Sequence, residues 1–413
     1  MCGISLVADA RGRRSHELVQ QALSSLVRLT HRGAPSDTAS IDGAGVLTQI
    51  PWEVFADDLP GAFSVPGVPR ALGMFFLPRH HGTEPKKTIE HALARAGFGT
   101  CHWRVVPVCF DGFAAGRHTE RPAIVQVAAL GDGTVADPDA ALYRARIRIE
   151  TAAAARDGWN GFAVVSLSTR TVVYKGLLTP AELPIFYPDL REPTFRSAIA
   201  IAHQRFSANT IAQWALAQPF GVLAHNGEIS TIDGNRRSTG DRLRAARVPT
   251  LLGTPADARG SDSSSLDAAV RALCSAGLSV PHALACLIPT AREHDAPPDP
   301  ALAAFSEYQA RFGEPWDGPA AVAFTDGDVA GALLDRHGFR PARYVRTRDG
   351  RVYLGSGAGI FDVPERDVLS RGRLAPGGVL IVDTRTGDVR VRRHGDLNSA
   401  ARVLQGIRRS GSS

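Results

Sequence analysis

The sequence has no apolar run that approaches the ~18 residues that a membrane-spanning helix needs. Its first apolar segment, residues 4–7, is short and is closed by Asp9, so it does not have the form of a secretory signal peptide. Cysteine is scarce, and the five cysteines contain no CxxC pair, which argues against a zinc site or an iron–sulfur cluster. We therefore expect a soluble, cytoplasmic protein that holds no metal and carries its cysteines as free thiols.

Lysine is almost missing, since only Lys86, Lys87 and Lys175 occur among the 47 basic residues. The 41 acidic residues leave a formal net charge of +6, which is small for 413 residues. Short arginine clusters without interleaved aromatic residues are typical of solvated faces, and those here lie at residues 11–14, 236–237 and 408–409. We expect neither a nucleic acid nor a membrane as a partner.

The remaining composition is that of a globular protein, with 44% hydrophobic and 21% charged residues. Alternating and β-branched runs predict strands at residues 2–8, 43–50, 162–168, 171–174, 198–203, 221–225, 320–324, 329–334, 342–346, 352–355 and 379–382. The adjacent runs 162–168 and 171–174 predict a hairpin, although the two residues between them are not a favoured turn pair.

Apolar periodicity predicts a helix that is capped by Ser15 and ends near Gly33, and further helices at residues 86–96, 140–155, 263–276 and 301–311. Because helices do not alternate regularly with strands, the pattern favours a layered α+β fold. We expect one domain over residues 2–407 and a disordered tail over residues 408–413.

Cys2 is the first residue that indicates chemistry. Removal of the initiator methionine would leave Cys2 with a thiol and a free α-amine, whose pKa near ~7.7–8.0 suits a general base at neutral pH. A nucleophile and its base would then lie within one residue. The alternatives are a cysteine at this position by chance, or a histidine base such as His31, His203 or His225. The other four cysteines lie among apolar residues and are expected in the core.

Three further motifs have both a chemical and an ordinary interpretation. Asn226 and Gly227 follow a predicted strand and could direct two donors at one oxygen, or form a tight turn. Arg205 ends another strand, and its planar fork suits a carboxylate or a surface salt bridge. Asp262 opens a predicted helix, where either Asp262 or Ser263 could simply be the N-cap.

The order of these motifs resembles the class II, N-terminal nucleophile glutamine amidotransferases, and most closely the glutaminase domain of the large glutamate synthase subunit. The resemblance runs nearly end to end and includes residues 2–3, 29–34, 42–51, 187–190, 314–320 and 335–344. It implies the four-layer αββα sandwich of the N-terminal nucleophile hydrolases, with embellishments. It implies no cofactor for the glutaminase reaction.

The resemblance also implies a role for each motif. Cys2 would be the nucleophile and, through its α-amine, the base, while Asn226 and the Gly227 N–H would form the oxyanion hole. Arg205 would hold the α-carboxylate of glutamine and Asp262 its α-ammonium. We further expect Phe206 and His225, which lie beside these residues in the sequence, to contribute to glutamine binding.

Two substitutions and one missing region depart from the family pattern. Ala208 stands where the family usually has threonine, and Gly357 stands where it has glutamate. Glutamate synthase continues into a flavin- and iron–sulfur-binding barrel and a β-helical domain. This sequence stops at Ser413 without their motifs and begins without a propeptide, so we expect no reductive half-reaction from this chain alone.

The sequence therefore predicts a stand-alone glutamine amidotransferase that releases ammonia through a γ-glutamyl thioester. The ammonia would pass to a partner synthase subunit or to a small-molecule acceptor. Two alternatives stay open: an enzyme that forms an amide or hydroxamate in a specialised biosynthetic pathway, and a catalytically silent, glutamine-binding regulatory subunit.

Overall fold

The structure is a computed structural model, and it describes residues 2–30, 43–79, 82–111, 113, 121–206, 212–289 and 313–393. Its strands are β1 (Gly3–Asp9), β2 (Ala44–Gln49), β3 (Arg70–Leu77), β4 (Thr100–Val105), β5 (Ala123–Leu130), β6 (Ala163–Ser168), β7 (Thr171–Gly176), β8 (Ile199–Gln204), β9 (Leu223–Gly227), β10 (Ala320–Thr325), β11 (Val329–Leu334), β12 (Arg343–Thr347), β13 (Arg351–Gly355), β14 (Val368–Arg373), β15 (Gly378–Asp383) and β16 (Asp388–Arg393). Its α-helices are α1 (His16–Val27), α2 (Glu84–Ala94), α3 (Pro138–Ala154), α4 (Leu183–Phe186), α5 (Ile232–Ala245), α6 (Pro255–Ala258), α7 (Asp262–Ser275) and α8 (Val280–Leu287).

The strands form three antiparallel sheets. A seven-stranded sheet has the order β14-β12-β13-β1-β8-β2-β7, and a five-stranded sheet has the order β16-β15-β11-β10-β9. A four-stranded sheet has the order β4-β5-β3-β6. The first strand of the chain is therefore an interior strand, hydrogen-bonded to β13 on one side and to β8 on the other.

The two larger sheets are stacked face to face between helices. Helix α1 packs on β1, β8 and β2, while the other face of that sheet packs against β9 and β10 of the five-stranded sheet. Helices α7 and α8 cover the outer face of the five-stranded sheet. This is the expected αββα arrangement, and it is confirmed.

Helix α1 illustrates why these layers form. Ser15 is its N-cap and accepts a hydrogen bond from the Leu18 amide at 3.2 Å. The predicted apolar stripe is buried against the sheet except at its last residue, Val27, which is 42% exposed; its members are Leu18, Val19, Ala22, Leu23, Leu26 and Val27. The helix ends at Val27, earlier than the predicted end near Gly33.

The four-stranded sheet, which is covered by α2 and α3, is an addition to the four layers and encloses its own apolar core. The pairing of its edge strand, β6, differs from the prediction. Residues 162–168 and 171–174 do contribute the strands β6 and β7, but the predicted hairpin is wrong, because β6 pairs with β3 and β7 pairs with β2 in different sheets. Between them, the Ser168 hydroxyl accepts from the amides of Arg170 and Thr171 and turns the chain from one sheet to the other.

The other strands predicted from the sequence are present within a few residues of their predicted bounds, as are the helices at 86–96, 140–155 and 263–276. The predicted helix at 301–311 and the predicted tail at 408–413 lie outside the described residues. In the part of the chain that is described, no helix is both long and apolar enough to span a bilayer.

Candidate active site

Cys2 lies immediately before β1, between the two stacked sheets. Ser5 faces α1, where its hydroxyl oxygen accepts a hydrogen bond from Ser25 at 2.7 Å. Because side chains alternate along a strand, Cys2 and Ile4 face the opposite side, toward the five-stranded sheet. Cys2 is only 5% exposed, and its Sγ donates to the carbonyl of Phe206 at 3.4 Å.

The neighbouring strand β8 ends at Gln204, and the chain bends sharply at the next residue. Arg205 has a φ of 77°, a left-handed conformation that is uncommon for a residue with a side chain, and its amide donates to the carbonyl of Gly43 at 2.6 Å. The ring of Phe206 packs over Gly43, since a Cβ there would lie 2.7 Å from the ring. The bend places Arg205 and Phe206 at the end of the sheet where Cys2 lies, beside the first residues of β1.

Asn226 and Gly227 end strand β9 on the facing sheet. Their register partners are Ala321 and Ala320 of β10. Asn226 is only 2% exposed. Its side chain lies on the same face of β9 as that of Ala224, which belongs to the core between the two sheets. Alternation therefore turns Asn226 toward the sheet that carries Cys2. Gly227 has to be glycine, because a Cβ would overlap the carbonyl oxygen of Pro319.

The side chain of His225 lies on the other face of β9, against α7. Its Nδ1 is 2.8 Å from the Ser263 hydroxyl, and its main-chain amide and carbonyl are both bonded to the Gln218 side chain. Burial lowers the pKa of His225, against the opposing effect of the Asp262 carboxylate. The ring lies on the side of β9 that faces α7, away from the sheet that carries Cys2.

Asp262 is the first residue of α7, and the N-cap is Ser261, not Asp262 or Ser263 as the sequence suggested. The Ser261 hydroxyl accepts from the Ser264 amide at 3.1 Å. One carboxylate oxygen of Asp262 accepts from the Ile229 amide at 2.8 Å, and the other accepts from the Ser263 amide at 2.7 Å. The carboxylate is thus fixed beside the end of β9, at a helix terminus that favours negative charge.

A comparison with known protein families identifies the family to which the chain belongs. The profile of the glutamine amidotransferases class-II matches residues 2–401. The chain belongs to this family.

Curated relatives of this amidotransferase are glutamate synthases. It is 38% identical over 404 residues to the chloroplastic ferredoxin-dependent glutamate synthase 2 of Arabidopsis thaliana, covering 94% of this chain and 25% of the relative. It is 36% identical over 407 residues to the glutamate synthase [NADPH] large chain of Bacillus subtilis (strain 168), covering 94% of this chain and 26% of the relative. The chain thus spans about a quarter of the length of these relatives.

Among solved structures, the glutamine phosphoribosylpyrophosphate amidotransferase of B. subtilis, complexed with ADP and GMP, aligns with a TM-score of 0.39 and 13% identity. That alignment covers 95% of this amidotransferase and 49% of the solved chain.

Several charges act on the thiol of this amidotransferase. Burial raises the pKa of Cys2 above its ordinary value, the positive charges of Arg340 and Arg205 oppose this shift, and Asp262 adds to it. Arg205, Arg340 and Asp262 are therefore all within electrostatic reach of the nucleophile candidate. In the described residues, no group of three or more His, Cys, Asp or Glu side chains could hold a metal ion.

Arg340 is the residue that sequence reasoning missed, although it lies inside the matching block 335–344. Asp335 builds the turn before it, since one carboxylate oxygen accepts from the amides of His337 and Gly338 and the other accepts from the Ala320 amide. The Nε of Arg340 is buried without a hydrogen-bond partner in the described structure. The turn follows the end of β11 that lies next to Ala321, the register partner of Asn226, and it places a cation within electrostatic reach of the thiol.

Of the two substitutions that depart from the family pattern, only Gly357 lies within the described residues. Gly357 follows Ser356, whose amide and hydroxyl are bonded to the main chain of Ile4 at 3.0 and 3.1 Å. The glycine is therefore close to β1, the strand that follows Cys2. Ala208 and the alternative base His31 lie outside the described residues.

Proposed function

We propose that this chain carries the glutaminase half-reaction by itself, with Cys2 as the nucleophile. The Cys2 thiol gives its proton to the α-amine, and the thiolate attacks the side-chain amide carbon of glutamine. As the tetrahedral intermediate collapses, the α-ammonium gives its proton to the leaving nitrogen, which departs as ammonia and leaves a γ-glutamyl thioester on Sγ. Water then attacks the thioester carbon and breaks the C–S bond, which releases glutamate, and a proton from the water passes through the α-amine to Sγ.

The observation that carries this proposal is that Cys2 and Asn226 are both buried, on strands whose alternation turns both side chains toward the layer between the two sheets. In that water-poor layer, the Asn226 side-chain amide and the Gly227 N–H suit the oxygen on which negative charge develops. Preorganised donors are worth far more there than in bulk water.

The two ends of glutamine need charges of opposite sign, and Arg205 and Asp262 supply them. Each oxygen of Asp262 already accepts one main-chain amide, but a carboxylate offers about four lone-pair positions. Capacity therefore remains for an ammonium group. Phe206, packed over Gly43, would cover the apolar part of the substrate, while His225 would act by positioning α7 and β9.

The histidines of this region support the α-amine as the base. Burial lowers the pKa of His203 to about 3, which makes its ring a poor proton acceptor at neutral pH. His225 faces α7 and is engaged by Ser263. Between them, these two rings offer no well-placed competitor to the amine.

The relatives suggest where the ammonia goes. Because they are glutamate synthases, we favour transfer to a synthase partner or domain over a small-molecule acceptor. All five cysteines are unpaired, which suits a reducing compartment such as the cytoplasm.

The purified chain with a carboxyl-terminal tag and a processed amino terminus tests the proposal, with mass spectrometry confirming that Cys2 comes first. Glutamate and ammonia should form in equal amounts, and Cys2→Ala should abolish both. Cys101→Ala is the matched control, because burial raises the pKa of that thiol to about 11 and it should be dispensable.

A second arm blocks the α-amine with an uncleaved amino-terminal tag, which should inactivate the enzyme although every side chain survives. Equal rates for the blocked and free forms would overturn the α-amine as base. A wild-type chain that binds glutamine without hydrolysing it would instead support the regulatory alternative.

A further inference from the structure

A second group of charges lies between α3 and α7, away from the residues discussed above. On α3, the Nε of Arg146 is 2.8 Å from a carboxylate oxygen of Glu150. On α7, the Nε of Arg271 is 2.6 Å from a carboxylate oxygen of Asp267. Both guanidinium side chains are largely buried, with 12% and 15% of their surface exposed. Lys175 of β7 adds a third cation within electrostatic reach of both arginines.

The cations in this group are not fully paired. Glu150 forms an ion pair with Arg146 but accepts no hydrogen bond from its Nε, whereas Asp267 accepts hydrogen bonds from Arg271 Nε at 2.6 Å and from the Val222 amide at 2.9 Å. Among the described residues, none accepts a hydrogen bond from the terminal nitrogens of Arg146 or Arg271, and Nη1 of Arg271 is also buried without a partner. Two guanidinium groups and Lys175, whose pKa burial lowers to about 7, thus share two carboxylates in a region where an unpaired charge is costly.

These side chains line one wall of a cleft of about 1830 Å³. Lys175 donates to the carbonyl of Ala215 at 2.8 Å, and its Nζ lies 4.5 Å from the centre of the Phe220 ring. Trp214 also lines the cleft. The cleft therefore combines excess positive charge with aromatic surface, as a site for a small organic anion requires.

We propose that this cleft binds an oxyanion, a carboxylate or phosphate group of a small molecule, between Arg146 and Arg271. The planar guanidinium group presents paired donors that match such an anion, and within the described part of the chain the terminal nitrogens of both arginines have no competing acceptor. The bound anion compensates the positive charge that remains after Glu150 and Asp267 have paired with the arginines. Phe220 and Trp214 then pack against the rest of the molecule.

Isothermal titration of the full chain with sulfate and with succinate tests this site. Arg146→Gln and Arg271→Gln should each weaken binding about tenfold or more, as expected for loss of a charge-assisted hydrogen bond. Arg148→Gln, an exposed position on the same helix, changes the net charge equally and should leave the affinity unchanged. Tighter binding of sulfate identifies a phosphate-type ligand, and tighter binding of succinate identifies a carboxylate.

Lys175→Met provides a test that leaves no carboxylate without its partner, should an arginine variant fail to fold. Burial, reinforced by Arg146 and Arg271 and opposed by Asp267, lowers the pKa of Lys175 to about 7. The wild type should therefore bind either anion about 3–10-fold more tightly at about pH 6 than at about pH 9, whereas Lys175→Met should show no such difference. The absence of saturable binding by either anion, or equal weakening by Arg148→Gln, would overturn the proposal.

Discussion

Replacing Gly227 by alanine tests whether the end of β9 is part of the catalytic machinery. An alanine Cβ would overlap the Pro319 carbonyl oxygen and would lie 2.9 Å from the Cα of Ala320 and 2.7 Å from His225 Nε2. Carbon–carbon contacts normally begin near ~3.5 Å, so the strand end has to move by more than about half an ångström. All three neighbours are main chain or a buried ring, so none of them can swing aside.

The expected cost is larger for catalysis than for stability. Crowding a packed site typically costs about 1–3 kcal/mol of unfolding free energy. A displacement approaching 1 Å in a catalytic group can lower the rate about 100-fold, so we expect kcat to fall by about 10- to 100-fold. KM should change less, because Arg205 and Asp262 are held by other elements.

Gly234→Ala is the matched control. Gly234 lies in α5, and a methyl group added to its Cα would meet nothing within 4 Å, so alanine there should be neutral or slightly stabilising. Initial rates of glutamate formation and thermal unfolding would be measured for both variants. A folded Gly227→Ala enzyme whose kcat stays within about threefold of the wild type would refute the role of Gly227.

Three further predictions concern the charges and donors around the thiol. Asn226→Ala should lower kcat by ~10²–10³ with a smaller change in KM, and a defect confined to KM would point to substrate binding instead. Arg205→Lys and Asp262→Asn should each raise the KM for glutamine strongly, and unchanged kinetics in either variant would remove that residue from the substrate site. Arg340→Gln removes a positive charge that lowers the pKa of Cys2, so the pH midpoint for alkylation of the thiol by iodoacetamide should move upward. An unmoved midpoint would show that Arg340 does not act on the nucleophile.

Local sequence patterns predicted elements far better than their partners. The strand β1, the Ser15 cap and the helix α1 were each predicted from neighbouring residues, and each is present. The hairpin of β6 and β7 failed for a physical reason, because proximity along the chain does not decide pairing when two sheets lie side by side. Strands β3 and β5 were not predicted, although they are no more buried than β1 and β8, which were.

The candidate site shows the same division. Asn226 and Asp262 were found because each follows or opens an element that local patterns predict. Arg340 could not be found in this way, since its importance depends on the turn that Asp335 builds after β11. That turn brings the positive charge of Arg340 within reach of the Cys2 thiol. The side to which His225 points likewise depends on Ser263, 38 positions later in the sequence.

The interior position of β1 also governs when the nucleophile is assembled during synthesis. Ile4 pairs with His203, and Ser5 pairs with Gly355, which the ribosome adds about 350 residues later. At ~5–20 residues per second, the cysteine emerges about 20–70 s before its second neighbouring strand exists. A nascent chain that has not yet reached Gly355 therefore presents Cys2 without β13 beside β1, so the sheet that orients the proposed nucleophile is completed only after that residue has been added.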